Sequence, residues 1–137
     1  MAVLIDSNVL IDLFSADPEW GEWSERQLLA QAGQDELVIN VVVLAEVAHG
    51  FRSADDVDAV LDTASIGFED IPREAGLRAG SAHRDYRLRG GSRERTLPDF
   101  LIGAHAELAG HALLTRDPGR YRTYFPDVEL ITPETHP

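Results

Sequence analysis

The chain has 137 residues, 44% of them hydrophobic and 26% charged, which allows one domain with a sizeable core and argues against disorder. It has no cysteine, excluding a disulfide framework and a thiolate zinc site, and no apolar stretch approaches the roughly 20 residues that span a bilayer. The formal net charge of −12 comes with 12 basic residues, all of them arginine, so phosphate chemistry that relies on lysine is excluded.

Short apolar runs alternate with helical patterns, the signature of parallel βαβ units. Strands are expected at 2–5, 36–40, 67–71, 111–115 and 128–132. A first helix should run from Ser7 to about Phe14, and a second should open at Asp17-Pro18-Glu19, with Asp as N-cap and Pro as first residue, and end at Gly33. Residues 42–51 place Leu44, Val47, Ala48 and Phe51 on one helical face. Ser53-Ala54-Asp55-Asp56 resembles a capping box before Val57, Val60, Leu61 and Ala64. Pro72 starts a longer helix whose stripe of Ala75, Ala79, Ala82 and Tyr86 suits close contact with a neighbour, leaving Arg73, Arg84 and Arg87 outward. Gly90-Gly91-Ser92 breaks it. Thr96 is expected to cap the next helix, with Leu97, Phe100, Leu101, Ala104 and Leu108 as its buried stripe. The start Met1-Ala2-Val3-Leu4 enters a strand pattern without a basic leader, so the chain is expected to be cytoplasmic, with no membrane partner.

Four carboxylates follow or interrupt apolar segments that should carry them to one end of a single sheet, Asp6 and Asp117 after strands and Glu46 and Asp99 on helices. Asp6 closes Ala2-Val3-Leu4-Ile5, Glu46 lies within the run from Val41 to Val47, Asp99 opens Leu97-Pro98-Asp99-Phe100-Leu101-Ile102, and Asp117 follows Ala112-Leu113-Leu114-Thr115. In an open α/β sheet the loops after the carboxyl ends of strands converge where strand order reverses. Acids gathered there supply the hard oxygen ligands that Mg²⁺ and Mn²⁺ favour, and such ions promote in-line attack of water on phosphorus. Asp6, Asp99 and Asp117 also stand where a helix or turn would use a capping carboxylate. Glu46 is harder to explain that way, because no arginine lies within four residues of it, although a solvated place at the edge of its stripe is an alternative.

Taken together, Leu4-Ile5-Asp6-Ser7-Asn8-Val9-Leu10-Ile11, Leu44-Ala45-Glu46-Val47, Leu97 to Ala106, and Leu114-Thr115-Arg116-Asp117 resemble the PIN-domain nucleases, and within them the VapC toxins of type II toxin–antitoxin pairs. The resemblance covers nearly the whole chain. It implies one domain over residues 1–137, a three-layer α/β/α fold, and a five-stranded parallel sheet of order 3-2-1-4-5. It also implies a Mg²⁺- or Mn²⁺-dependent endoribonuclease, an RNA substrate, inhibition by a cognate antitoxin, and homodimers. Asp6, Glu46, Asp99 and Asp117 would be the catalytic, metal-binding acids, with Asn8 and Thr115 orienting ligands or water.

The basic residues are concentrated in one region. Residues 1–72 hold 15 acids and 2 arginines, whereas 73–122 hold 10 arginines and 6 acids. Arg84, Arg87, Arg89, Arg93, Arg95 and Arg116 are therefore candidate RNA contacts, because a phosphate backbone responds to local potential; a solvated helix face is the alternative. His105 and His111 are expected to face different elements, so no zinc site is read from them. Asp12 is expected to be solvated, and Trp20 and Trp23 to serve core or dimer packing. Two other functions fit less well. A noncatalytic RNA- or protein-binding module would keep the fold without the chemistry. A haloacid-dehalogenase-like phosphatase would use Asp6 as phosphoryl acceptor, but Asn8 stands where a second Asp is wanted and there is no lysine.

Overall fold

The computed structural model describes residues 2–91 and 96–137. Its five strands, β1 (Ala2–Ile5), β2 (Glu36–Ile39), β3 (Ile66–Phe68), β4 (Ala112–Leu114) and β5 (Leu130–Ile131), form one parallel sheet of order β3-β2-β1-β4-β5. The central strand is buried along its full length, with Val3, Leu4 and Ile5 at most 1% exposed. That explains its unbroken apolar sequence, because a parallel strand covered by helices on both faces has no solvent side to alternate with. Leu4 is aligned with Val38 on one side and Leu113 on the other. Strand order reverses about β1, so Asp6 and Thr115 emerge beside each other at the switch, where the Asp6 N–H still donates to Leu114 O.

Seven helices occur among the described residues: α1 (Ser7–Phe14), α2 (Gly21–Ala32), α3 (Val41–Ala48), α4 (Ala54–Thr63), α5 (Arg73–Leu88), α6 (Leu97–Ala109) and α7 (Gly119–Tyr124). They complete the three-layer α/β/α arrangement. The Ser53 hydroxyl caps α4 by accepting the Asp56 N–H. Ala75, Ala79 and Ala82 are buried, as their small size suggested, and bring α5 against α6. None of the described helices is long and apolar enough to cross a membrane.

Several local expectations are corrected. Asp17 Oδ1 accepts the N–H groups of Glu19 and Trp20, forming a turn that delays α2 until Gly21. Asn40 does not extend β2; its Oδ1 accepts the Val43 N–H and caps α3. Thr96 makes no side-chain cap, because its hydroxyl is bonded to His83 Nε2. Leu97 and Leu108 are 44% and 47% exposed, while Phe100, Ile102, Gly103, Ala104, His105 and Ala106 are buried. The middle of α6 is thus enclosed on more than one face, which a single helical stripe does not anticipate. Helix α7 has six residues, too short for periodicity to announce it.

Candidate active site at the carboxyl edge of the sheet

Asp6 is held by three donors that converge on Oδ2. The Thr115 hydroxyl donates over 2.8 Å, the Tyr121 hydroxyl over 2.9 Å and Asn8 Nδ2 over 3.2 Å. Asp6 occupies the N-cap position of α1 yet makes no side-chain cap bond, so its carboxylate is engaged across the sheet edge instead. The same network fixes the neighbouring loop. Asn8 Nδ2 also donates to Thr115 Oγ1, Asn8 Oδ1 accepts the Arg116 N–H, and Thr115 Oγ1 accepts the Asp117 N–H. Asn8 and Thr115, expected to orient ligands, are therefore the residues that join the loops after β1 and β4.

Glu46 projects from α3 and accepts the Ser7 hydroxyl at 3.0 Å. Asp99, in the first turn of α6, is paired with Arg120 Nη1 at 2.7 Å. Burial, chiefly, and the negative charges of Asp99 and Glu46 push the Asp6 carboxyl up to about 7, against the lowering effect of its hydroxyl donors. Burial and the Asp99 charge raise Glu46; burial and the Asp117 charge raise Asp99 even with Arg120 beside it. These mutual influences place the four acids in one electrostatic neighbourhood. Among the described residues, no three of these acids bring carboxylate oxygens within 4.8 Å of one another. Mg²⁺, which usually takes one or two protein carboxylates and completes its octahedron with water, suits such an all-oxygen set.

A cleft of about 520 Å³ opens beside the acids, lined by Asp99, Asp117, Arg120, Tyr86, Tyr124 and Arg89 among others. Arg89 lies 5.8 Å above the Tyr124 ring and Arg120 5.5 Å above the Tyr86 ring. Arg84, Arg87 and Arg89 are exposed. Arg93 and Arg95 lie outside the described residues. Arg116 is committed elsewhere, its guanidinium pairing with both oxygens of Asp12. Asp12, expected to be solvated, is 3% exposed, because that pairing carries it inward. Trp23 is buried and donates from Nε1 to His136 O, in keeping with a core role.

Ser7, Arg120 and Tyr121 were not singled out from the sequence. Ser7 follows Asp6 directly and offers a hydroxyl at a helix start, a weak signal because serine is common there. Arg120 and Tyr121 belong to the short helix α7 and reach the acids only through the fold.

The model of the PIN domain family matches residues 3–126. No curated protein sequence matches the chain. Among solved structures, the chain is similar to VapBC2 from Rickettsia felis, bound to a promoter DNA fragment, with 18% identity, coverage of 96% of this chain and 98% of that one, and a TM-score of 0.72. A toxin–antitoxin complex from Klebsiella pneumoniae is 25% identical, with coverage of 96% and 97% and a TM-score of 0.68. FitAcB from Neisseria gonorrhoeae is 17% identical, with coverage of 96% and 98% and a TM-score of 0.64. With the family match spanning most of its length, and with the parallel sheet and its edge of acids in place, this chain belongs to the PIN domain family.

Proposed function

We propose that the protein is a Mg²⁺- or Mn²⁺-dependent endoribonuclease, the toxin of a type II toxin–antitoxin pair, cytoplasmic, homodimeric and inhibited by a cognate antitoxin. The observation that supports this best is the buried Asp6 carboxyl, pinned by Thr115, Tyr121 and Asn8 in a neighbourhood shared with Glu46, Asp99 and Asp117. Similarity to VapBC2 and to the toxin–antitoxin complex from Klebsiella pneumoniae supports the toxin role and the antitoxin partner.

Asp6, Glu46, Asp99 and Asp117 would hold the ion, which supplies an activated water and stabilises the leaving oxygen. The chain's own residues prepare the site. Thr115, Tyr121 and Asn8 keep Asp6 in one orientation, and Ser7 does the same for Glu46. Arg120 neutralises Asp99 and stands in the cleft, available to a substrate phosphate when Asp99 turns to a cation. The exposed Arg84, Arg87 and Arg89 offer phosphate contacts, and Arg89 also lines that cleft.

Purified protein should cleave RNA with Mg²⁺ or Mn²⁺, stop in EDTA, and lose activity on Asp6→Asn or Asp99→Asn. Mapping RNA ends in cells after induced expression, with Asp6→Asn as control, identifies the substrate. Cleavage that continues in excess EDTA defeats the metal mechanism; RNA binding without cleavage under either ion supports a noncatalytic module.

A further inference from the structure

A second set of metal-type ligands lies apart from the four carboxylates. Glu69 follows β3, His105 lies within α6, and His111 precedes β4. The two histidines, expected to face different elements, converge: His105 Nε2 is 2.8 Å and His111 Nε2 2.7 Å from the same oxygen, Glu69 Oε1. The ligand atoms of all three residues lie within 4.8 Å of one another. An ion with bonds of about 2 Å therefore needs only small shifts to reach each of them. The His105 side chain is fully buried, whereas those of Glu69 and His111 are 38% and 11% exposed, leaving a route from solvent.

Two imidazoles and one carboxylate form a different donor set from the all-oxygen group around Asp6. Nitrogen ligands favour Zn²⁺, Co²⁺ and Ni²⁺ over Mg²⁺. We propose that Glu69, His105 and His111 form a binding site for a divalent transition-metal ion, separate from the carboxylate cluster and independent of the nuclease reading.

Protons organise the metal-free arrangement. Asn40 Oδ1 accepts the Val43 N–H, so its Nδ2 is the group facing His105 Nδ1 at 3.0 Å. His105 Nδ1 accepts that bond, and Nε2 carries the proton donated to Glu69. An ion at Nε2 replaces that proton; the neutral ring then carries its hydrogen on Nδ1, which needs an acceptor. Asn40 meets this by turning its oxygen to His105 and giving up the α3 cap. His111 faces the same demand: with an ion at Nε2 its hydrogen sits on Nδ1, which is buried without a partner among the described residues, a further cost that holds metal affinity down. Asn40 thus acts as a positioning residue that holds metal affinity down. An aspartate there accepts from both the Val43 N–H and His105 Nδ1–H, the carboxylate–histidine–metal relation common around bound ions.

The test is a Co²⁺ titration of the full chain carrying Asp6→Asn and Asp99→Asn, followed by visible absorption of the ion, with Zn²⁺ and Mg²⁺ as competitors. One equivalent should produce a spectrum that Zn²⁺ displaces and millimolar Mg²⁺ does not. His111→Ala and Glu69→Gln should each weaken Co²⁺ binding more than tenfold, and Asn40→Asp should tighten it by about tenfold. Absence of a saturable spectrum overturns the proposal, as does a spectrum that survives both His111→Ala and Glu69→Gln. No tightening in folded Asn40→Asp removes His105 from the ligand set. Should that variant not fold, the surface-reachable His111→Ala and Glu69→Gln still decide the matter.

Discussion

The Tyr121 hydroxyl donates to Asp6 Oδ2 although 115 positions separate the two residues. Both are almost fully buried, so neither can exchange its partner for bulk water at little cost. Burial and the charges of Asp6 and Asp99 hold the phenol well above its ordinary range. Tyr121 is therefore held as a neutral donor, and its effect is to favour the charged form of Asp6.

Tyr121→Phe keeps the ring and removes that donor. A bond to a charged group contributes about 1.5–3 kcal/mol, with the lower end expected while Asp6 is partly protonated. The variant should melt below wild type at pH 8 and less so at pH 5, where a protonated Asp6 depends less on the phenol. It should also need more Mg²⁺ for half-maximal cleavage. Equal Mg²⁺ requirements in the two proteins would remove Tyr121 from any role at the site.

The Asp6 carboxyl, raised from 3.8 to about 7, makes a signed prediction for the metal-free protein. A carboxyl raised by folding binds its proton more tightly in the folded state, so between about pH 4 and pH 7 the folded form carries more protons than the unfolded form. Asp6 therefore favours folding most at the acid end, and its contribution declines as pH rises toward 7. The decline is on the order of a few kcal/mol. Asp6→Asn should flatten this part of the stability profile, measured by urea melts in EDTA from pH 4.5 to 8. A profile parallel to wild type would show that Asp6 titrates like an exposed acid.

These relationships mark how far the sequence reaches. Asp6, Thr115 and Asp117 were legible because each follows an apolar strand, and parallel strands deliver their carboxyl ends to one edge. Asp99 and Glu46 were legible as acids in apolar helical settings. Tyr121 and Arg120 were not, because a six-residue helix carries no usable period. The Asp12–Arg116 and Glu69–His105–His111 contacts escaped for another reason: their partners are from 36 to 104 residues apart and meet only through the sheet order. Composition shows that arginine is concentrated after residue 72, but the pairing of Arg116 and Arg120 with acids depends on tertiary placement.

The exposed arginines at the end of α5 and at its C-cap should govern the salt dependence of RNA binding. Replacing Arg84, Arg87 and Arg89 by Gln removes three possible phosphate contacts, and each contact to a single strand contributes about 0.7 to the slope of log K against log salt. The triple variant should bind more weakly and show a slope shallower by about 2, measured with an uncleaved RNA in Ca²⁺. An unchanged slope assigns these residues to a solvated face.

Gly103 tests the support beneath α7. A methyl group at this position would lie 2.4 Å from the Phe125 ring, which is itself 1% exposed. Gly103→Ala gains helix propensity but must push Phe125 aside, and overfilling of this kind costs about 1–3 kcal/mol. Because Phe125 follows α7 directly, the strain should reach Arg120 and Tyr121. The variant should melt lower and need more metal for activity; a melting temperature at or above wild type would mean that Phe125 yields easily.

The Arg116–Asp12 pair should respond asymmetrically to removal of either partner. The Asp12 side chain is 4% exposed, whereas that of Arg116 is 32% exposed and lies 5.9 Å from the Trp20 ring. Arg116→Ala leaves a carboxylate buried without its partner, a change that costs about 3–5 kcal/mol in enclosed settings. Asp12→Ala leaves a guanidinium that can turn to solvent or remain over Trp20, so its cost should be nearer 1–2 kcal/mol, within the range for loss of charged hydrogen bonds. The double variant should be little worse than Asp12→Ala alone, since removing Asp12 also removes the stranded charge. Urea denaturation of the four proteins completes the cycle. Equal losses in the two single variants, adding up in the double variant, would show that the pair acts as an ordinary surface contact rather than as the link between α1 and the loop carrying Asp117.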